Sequence, residues 1–121
     1  MSAKVMGRVW ELDIGHPEQT VLLAMADHAS HDGTDCYPSI GLLTWKTGYS
    51  RRQVQRLVHK LEDAEILVRA ADAGDHRPCL YEIVLDGVPS KEPWKVVKER
   101  ELGERREERE DRKRKRRGVT P

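Results

Sequence analysis

The apolar residues of this chain fall into periodic stretches separated by clusters of turn-forming residues. Val9, Trp10, Leu12 and Ile14 make a short, nearly alternating stretch, and residues 1–16 are expected to be an arm, extended or half-turned, laid on the domain that follows. Val21, Leu22, Met25, Ala26 and Ala29 then recur at helical spacing. Ahead of them stand Pro17, preset for the first helical position, and Glu18, an acid suited to a first turn. A helix is predicted from about Pro17 to Ala29. It is ended by the turn-rich run Ser30, His31, Asp32, Gly33, Thr34, Asp35, in which Gly33 is available for positive φ.

Cys36 and Tyr37 read as a very short strand before Pro38. Ser39 is then placed to cap a second helix that turns Ile40, Leu43 and Trp45 inward and stops at Gly48. Gly41 weakens that helix by about 1 kcal/mol relative to Ala. Ser50 is a second N-cap eleven residues after the first, so two capped helices are joined by a three-residue turn containing Tyr49. From Ser50 onward, Val54, Leu57, Val58 and Leu61 fall at i, i+3, i+4 and i+7 and make one continuous apolar stripe. The opposite side holds Arg52, Arg56, His59 and Asp63, with Gln53 and Lys60 on one shoulder and Gln55 on the other. Beyond Glu65, residues 66–70 and 79–85 read as two strands around a turn at 73–78. Helix, helix, helix, strand, turn, strand is an α+β order. It predicts a winged helix-turn-helix, a three-helix bundle with a small antiparallel β-wing, over residues 17–86.

Charge changes the picture, because it is unevenly placed. Residues 1–90 carry nine Lys or Arg against thirteen Asp or Glu, a balance of −4, while residues 91–121 carry thirteen against eight, a balance of +5. An acidic domain argues against phosphate binding in general. Between Ser50 and Leu61, however, lie Arg51, Arg52, Arg56 and Lys60 and no acid, so the helix that follows the turn is the basic island of the domain. Residues 87–98 are expected to be a linker and 99–121 a charged tail, helical or disordered, that ends in Arg112, Lys113, Arg114, Lys115, Arg116 and Arg117. Glu101 with Arg105, Glu108 with Arg112, Glu110 with Arg114 and Asp111 with Lys115 have the acid first at i, i+4, which favours an exposed helix. Trp94, Val96 and Val97 are placed to pin the tail or to serve a partner.

The run Leu22, Leu23, Ala24, Met25, Ala26, Asp27, His28, Ala29, then Cys36, Tyr37, Pro38, Ser39, Ile40, then Thr47 through Arg56, resembles the winged helix-turn-helix domains of bacteriophage and plasmid replication proteins and of small phage or bacterial regulators. The similarity spans about Val9 to Leu85. It implies that the helix starting at Ser50 enters the major groove and that the 73–78 turn acts as a wing. Glu65 departs from the pattern, standing where such domains often have Gly, so Asp63, Ala64 and Glu65 are expected to end the helix differently.

Side-chain chemistry then assigns roles. Arg52 and Arg56 match guanine O6 and N7, and Gln53 and Gln55 match adenine N6 and N7. Ser39, Ser50, Arg51 and Lys60 are expected on phosphates, which position without specifying, and His76 and Arg77 at the wing tip. The six terminal cations supply sequence-independent affinity. Trp45 and Tyr49 read as core and turn packing rather than base or sugar contacts.

His28, His31 and Cys36 lack the spacing of a metal site, and neither a metal nor another cofactor is expected. Cys36 and Cys79 are expected to be free thiols. With no signal-peptide pattern and no long apolar run, a cytoplasmic protein is expected, nucleoid-associated or, if phage-encoded, in the host cytoplasm, without membrane contact. No phosphate loop, activated nucleophile or paired carboxylates point to an enzyme. The expected partner is double-stranded DNA, bound sequence-specifically by a transcriptional regulator acting through site occupancy. A replication-initiation, origin-binding accessory protein and a winged-helix adaptor between proteins are the alternatives. A homodimer, or a replication or transcription protein held by the tail, stays open.

Overall fold

The computed structural model describes residues 2–72, 74 and 78–118 and divides the chain into two compact units, Met1–Ser90 and Lys91–Pro121. The first unit holds α1 (Ala3–Glu11), α2 (His16–Ala26), α3 (Ile40–Thr47), α4 (Arg51–Asp63), β1 (Leu67–Ala71) and β2 (Leu80–Ile83). Helix α2 packs against α1, α3 and α4, and α4 packs against α3 and β1. The core between them is built from Val21, Leu22 and Met25 of α2, Leu43 of α3, the four-residue stripe of α4, and Ile66, Leu67, Tyr81 and Ile83 from the sheet region.

The first sixteen residues are not an arm. Val5, Val9 and Leu12, spaced i, i+4, i+7, are all buried, so α1 contributes a full face to the core. Ser2 caps it: its Oγ accepts from the Val5 N–H at 3.3 Å and donates to the His31 carbonyl at 3.0 Å. Buried Gln19 ties α2 to α1, its Nε2 donating to the Val9 carbonyl at 3.1 Å. The domain also runs past residue 86. The Asp13 N–H donates to the Pro89 carbonyl at 2.8 Å and Leu12 bridges Ser90, so residues up to Ser90 pair with the segment just after α1 rather than forming a linker.

Strands β1 and β2 are antiparallel, with Leu67 opposite Ile83, Val68 opposite Glu82 and Arg69 opposite Tyr81, and the register shifts between Arg69 and Ala71. The short strand expected at Cys36 is a single bridge: its N–H donates to the Tyr81 carbonyl at 3.1 Å and the Tyr81 N–H returns a bond of 2.7 Å. Gly33 makes this approach possible. It has φ +87, and a Cβ there would stand 2.9 Å from the Ile83 carbonyl oxygen. Both cysteines are free, and burial pushes the Cys36 thiol up to about 12.

Among the described residues the second unit holds a single helix, α5 (Trp94–Arg116), so the tail is helical and the helix starts five residues before the expected boundary. None of its residues is buried. Glu101–Arg105 at 3.4 Å, Glu108–Arg112 at 4.0 Å and Asp111–Lys115 at 3.5 Å are the expected pairs. Glu110 pairs with Lys113, at 4.0 Å, instead of Arg114.

Candidate nucleic-acid interface

The turn between α3 and α4 is built from local hydrogen bonds. Ser39 Oγ accepts from the Leu42 N–H at 3.0 Å and Ser50 Oγ accepts from the Gln53 N–H at 3.2 Å, so each serine caps its helix as its position implies. Gly48 leaves α3 at φ +76 with its N–H on the Thr44 carbonyl, and half-buried Tyr49 packs on the core. Val54, Leu57, Val58 and Leu61 are buried, which fixes the rotation of α4 and turns Arg51, Arg52, Gln55, Arg56, His59, Lys60 and Asp63 outward. Gln53 is half-buried on the shoulder. Arg52 and Arg56, four residues apart, lie one above the other about 6 Å along the helix axis. Each cap hydroxyl accepts a backbone bond and keeps its own hydrogen for an external acceptor.

Ion pairing divides the cations of this unit into two groups. Lys46 of α3 is held by Asp27, with His28 Nε2 at 3.2 Å; Lys60 by Glu18 at 3.4 Å; Arg69 by Glu62 at 3.0 Å and Asp72 at 3.4 Å; Arg8 by Glu11 at 3.1 Å. The hydrogen bond from Lys46 holds the Asp27 carboxyl below the usual range, and the bond to Glu62 raises the affinity of Arg69 for its proton. Arg51, Arg52 and Arg56 make no ion pair among the described residues, and neither does Lys4 of α1. The uncommitted positive charge beside the turn is therefore concentrated on the N-terminal two turns of α4. No feature of local sequence announced Glu18, Asp27 and Glu62 as the acids that bring this about, since each pair joins different elements.

Three expectations are corrected or left outside the described residues. Trp45 is 79% exposed rather than inward. The inward face of α3 runs through Ile40, Leu43 and Thr47, and Trp45 lies about 200° from Leu43 on the helical wheel, beside Gly41. Glu65 does not end α4 differently from a glycine: it takes φ +61, its N–H bonds the Glu62 carbonyl at 2.9 Å, and the Ile66 N–H bonds the Leu61 carbonyl at 3.0 Å. That is a Schellman closure, sealed by the burial of both Leu61 and Ile66. His76 and Arg77, expected at the wing tip, lie outside the described residues. On α5, Arg112, Lys113 and Lys115 are paired with acids, while Arg114, Arg116 and Arg117 have no ion pair among the described residues.

No described helix is long and apolar enough to cross a membrane, and no group of three or more potential metal ligands occurs among the described residues. Residues 12–67 match the family model described as a helix-turn-helix domain. No curated protein and no solved structure matches the chain. The matched segment contains α2, α3, the three-residue turn and α4, and the β1–β2 pair begins at its last residue, Leu67. The fold of the first unit, with helices α2, α3 and α4 followed by the β1–β2 pair, is that of a winged helix-turn-helix.

Proposed function

We propose that this protein binds double-stranded DNA sequence-specifically through α4 and acts as a transcriptional regulator by occupying its site. The observation that carries this reading is the set of three exposed arginines without ion-pair partners among the described residues, Arg51, Arg52 and Arg56, at the start of the second helix of a helix-turn-helix. In an otherwise acidic domain whose other described cations are mostly neutralised in place, that surface is, among the described residues, the one disposed toward an anionic ligand.

Arg52 and Arg56 are assigned to guanine edges and Gln55 to adenine, with half-buried Gln53 reaching the shoulder of the site. Ser39, Ser50, Arg51 and the first N–H groups of α4 are assigned to phosphates, and Lys60 can join them only by leaving Glu18. His76 and Arg77 are assigned to the wing contact. The basic end of α5, residues 112–117, adds affinity that does not depend on sequence. An origin-binding accessory role would use the same face.

The test is selection of bound sequences from a random duplex pool, followed by binding of the selected duplex to the wild type and to the triple variant Arg51→Ala, Arg52→Ala, Arg56→Ala. Enrichment of one motif and its loss in the triple variant are expected. A second reading, an adaptor between proteins, is favoured by the exposure of Trp45 on α3. Undiminished duplex binding by the triple variant, with loss of a protein partner on Trp45→Ala, would replace the first reading by the second.

A further inference from the structure

Among the four cations of the α4 basic island, Lys60 differs from the rest in being engaged already. Its Nζ stands 3.4 Å from Oε1 of Glu18, which lies in the first turn of α2, forty-two residues earlier in the chain. The lysine side chain is 59% exposed and the carboxylate 21%. Lys60 can therefore swing into solvent, while Glu18 is held near the packed surface. A carboxylate oxygen and a phosphate oxygen are equivalent partners for an ammonium group, so Glu18 competes with a backbone phosphate for Lys60.

On the DNA-binding reading given above, we infer that Glu18 is a positioning residue for Lys60: an internal substitute for a backbone phosphate that holds this cation off the duplex and so limits sequence-independent affinity. Phosphate contacts carry no base information, so releasing Lys60 strengthens binding to every sequence and leaves the preferred motif unchanged. Neutralising one further phosphate steepens the dependence of log K on log salt by about 0.9.

The experiment is a salt titration of the full chain on a random duplex and on a selected one, with Glu18→Gln, Glu18→Asp, Lys60→Met and the double variant E18Q/K60M. Glu18→Gln is expected to tighten both complexes about threefold at low salt, the effect of one neutralised phosphate over a fourfold salt change, and to steepen the slope by up to about 0.9. Glu18→Asp keeps the charge but is one methylene short of Lys60, and is expected to shift the slope in the same direction. In the Lys60→Met background the tightening is expected to vanish. Tightening that persists without Lys60 would mean that Glu18 acts only through net charge and would overturn the inference, as would unchanged or weaker binding by Glu18→Gln. If the wild type bound no duplex, or bound it independently of Arg51, Arg52 and Arg56, the DNA reading itself would fail. If binding required those arginines and ignored Glu18, the failure would be confined to the role of Glu18.

Discussion

Helices α4 and α5 are both rich in arginine, and they hold that charge differently because of what the other residues of each helix do. In α4 the stripe Val54, Leu57, Val58, Leu61 is buried, each side chain contributing roughly 1.5–3 kcal/mol of burial. That stripe locks the helix against α2, α3 and β1, so the arginines opposite it point in one fixed direction. In α5 nothing is buried, and its i, i+4 ion pairs contribute only about 0.2–0.5 kcal/mol each. Its cations are distributed around the helix, and three of the last six are matched by acids on the same helix. A positioned cation can distinguish base edges. One that is merely abundant can only neutralise phosphate.

The largest expected difference between the two helices is in stability. Leu57→Ala should cost about 2–5 kcal/mol of unfolding free energy, whereas Leu102→Ala on α5, half exposed to solvent, should stay within about 0.5 kcal/mol. Urea unfolding of the two variants measures it, and comparable losses would mean that α5 is packed as α4 is. Next in size is base readout. Arg56→Ala should weaken the selected duplex by about 1–3 kcal/mol and relax the preference at one base pair, without shifting the unfolding midpoint by more than a surface substitution does.

Smaller again is the strain at the end of α4. Glu65→Gly removes a side chain from a left-handed backbone position and should stabilise the domain by about 1 kcal/mol in the same urea assay. Destabilisation would mean that the glutamate side chain supplies something the backbone geometry does not reveal. The smallest effect belongs to α5: a double-mutant cycle on Glu101 and Arg105 should return a coupling of about 0.2–0.5 kcal/mol that fades with added salt. A coupling that persisted in high salt would indicate burial of the pair.

What could be read from the sequence is what depends on neighbours along the chain. The Ser39 and Ser50 caps, the Gly48 stop, the apolar stripe of α4 and the two wing strands each follow from residues within a turn or two. The pairs Glu101–Arg105, Glu108–Arg112 and Asp111–Lys115 of α5 follow from spacing in the same way. Helix α1 was legible too, in Ser2, Val5, Val9 and Leu12, but the near-alternation of Val9, Trp10, Leu12 and Ile14 competes with it over the same residues. Trp45 misleads for another reason: aromatic bulk favours burial, but on an eight-residue helix the position on the wheel overrides it. Glu65 shows that a side chain can replace glycine when the closing hydrogen bonds and the burial of Leu61 and Ile66 outweigh the strain. The division of the cations into paired and unpaired was out of reach, because Glu18–Lys60 and Asp27–Lys46 join residues far apart in sequence.

Sequence reading by α4 and its absence from α5, as proposed, are tested by one salt titration: the wild type, Arg52→Ala with Arg56→Ala, and the chain ending at residue 98, each on one selected and one random duplex. Removing residues 99–121 should lower affinity for both duplexes alike and flatten the dependence of log K on log salt by up to about 0.9 for every phosphate the tail no longer neutralises, with the preferred sequence kept. The arginine pair should instead erase the difference between the two duplexes. A truncated chain that lost its sequence preference with its salt slope intact, or an arginine variant that lost affinity equally on both duplexes, would contradict the account.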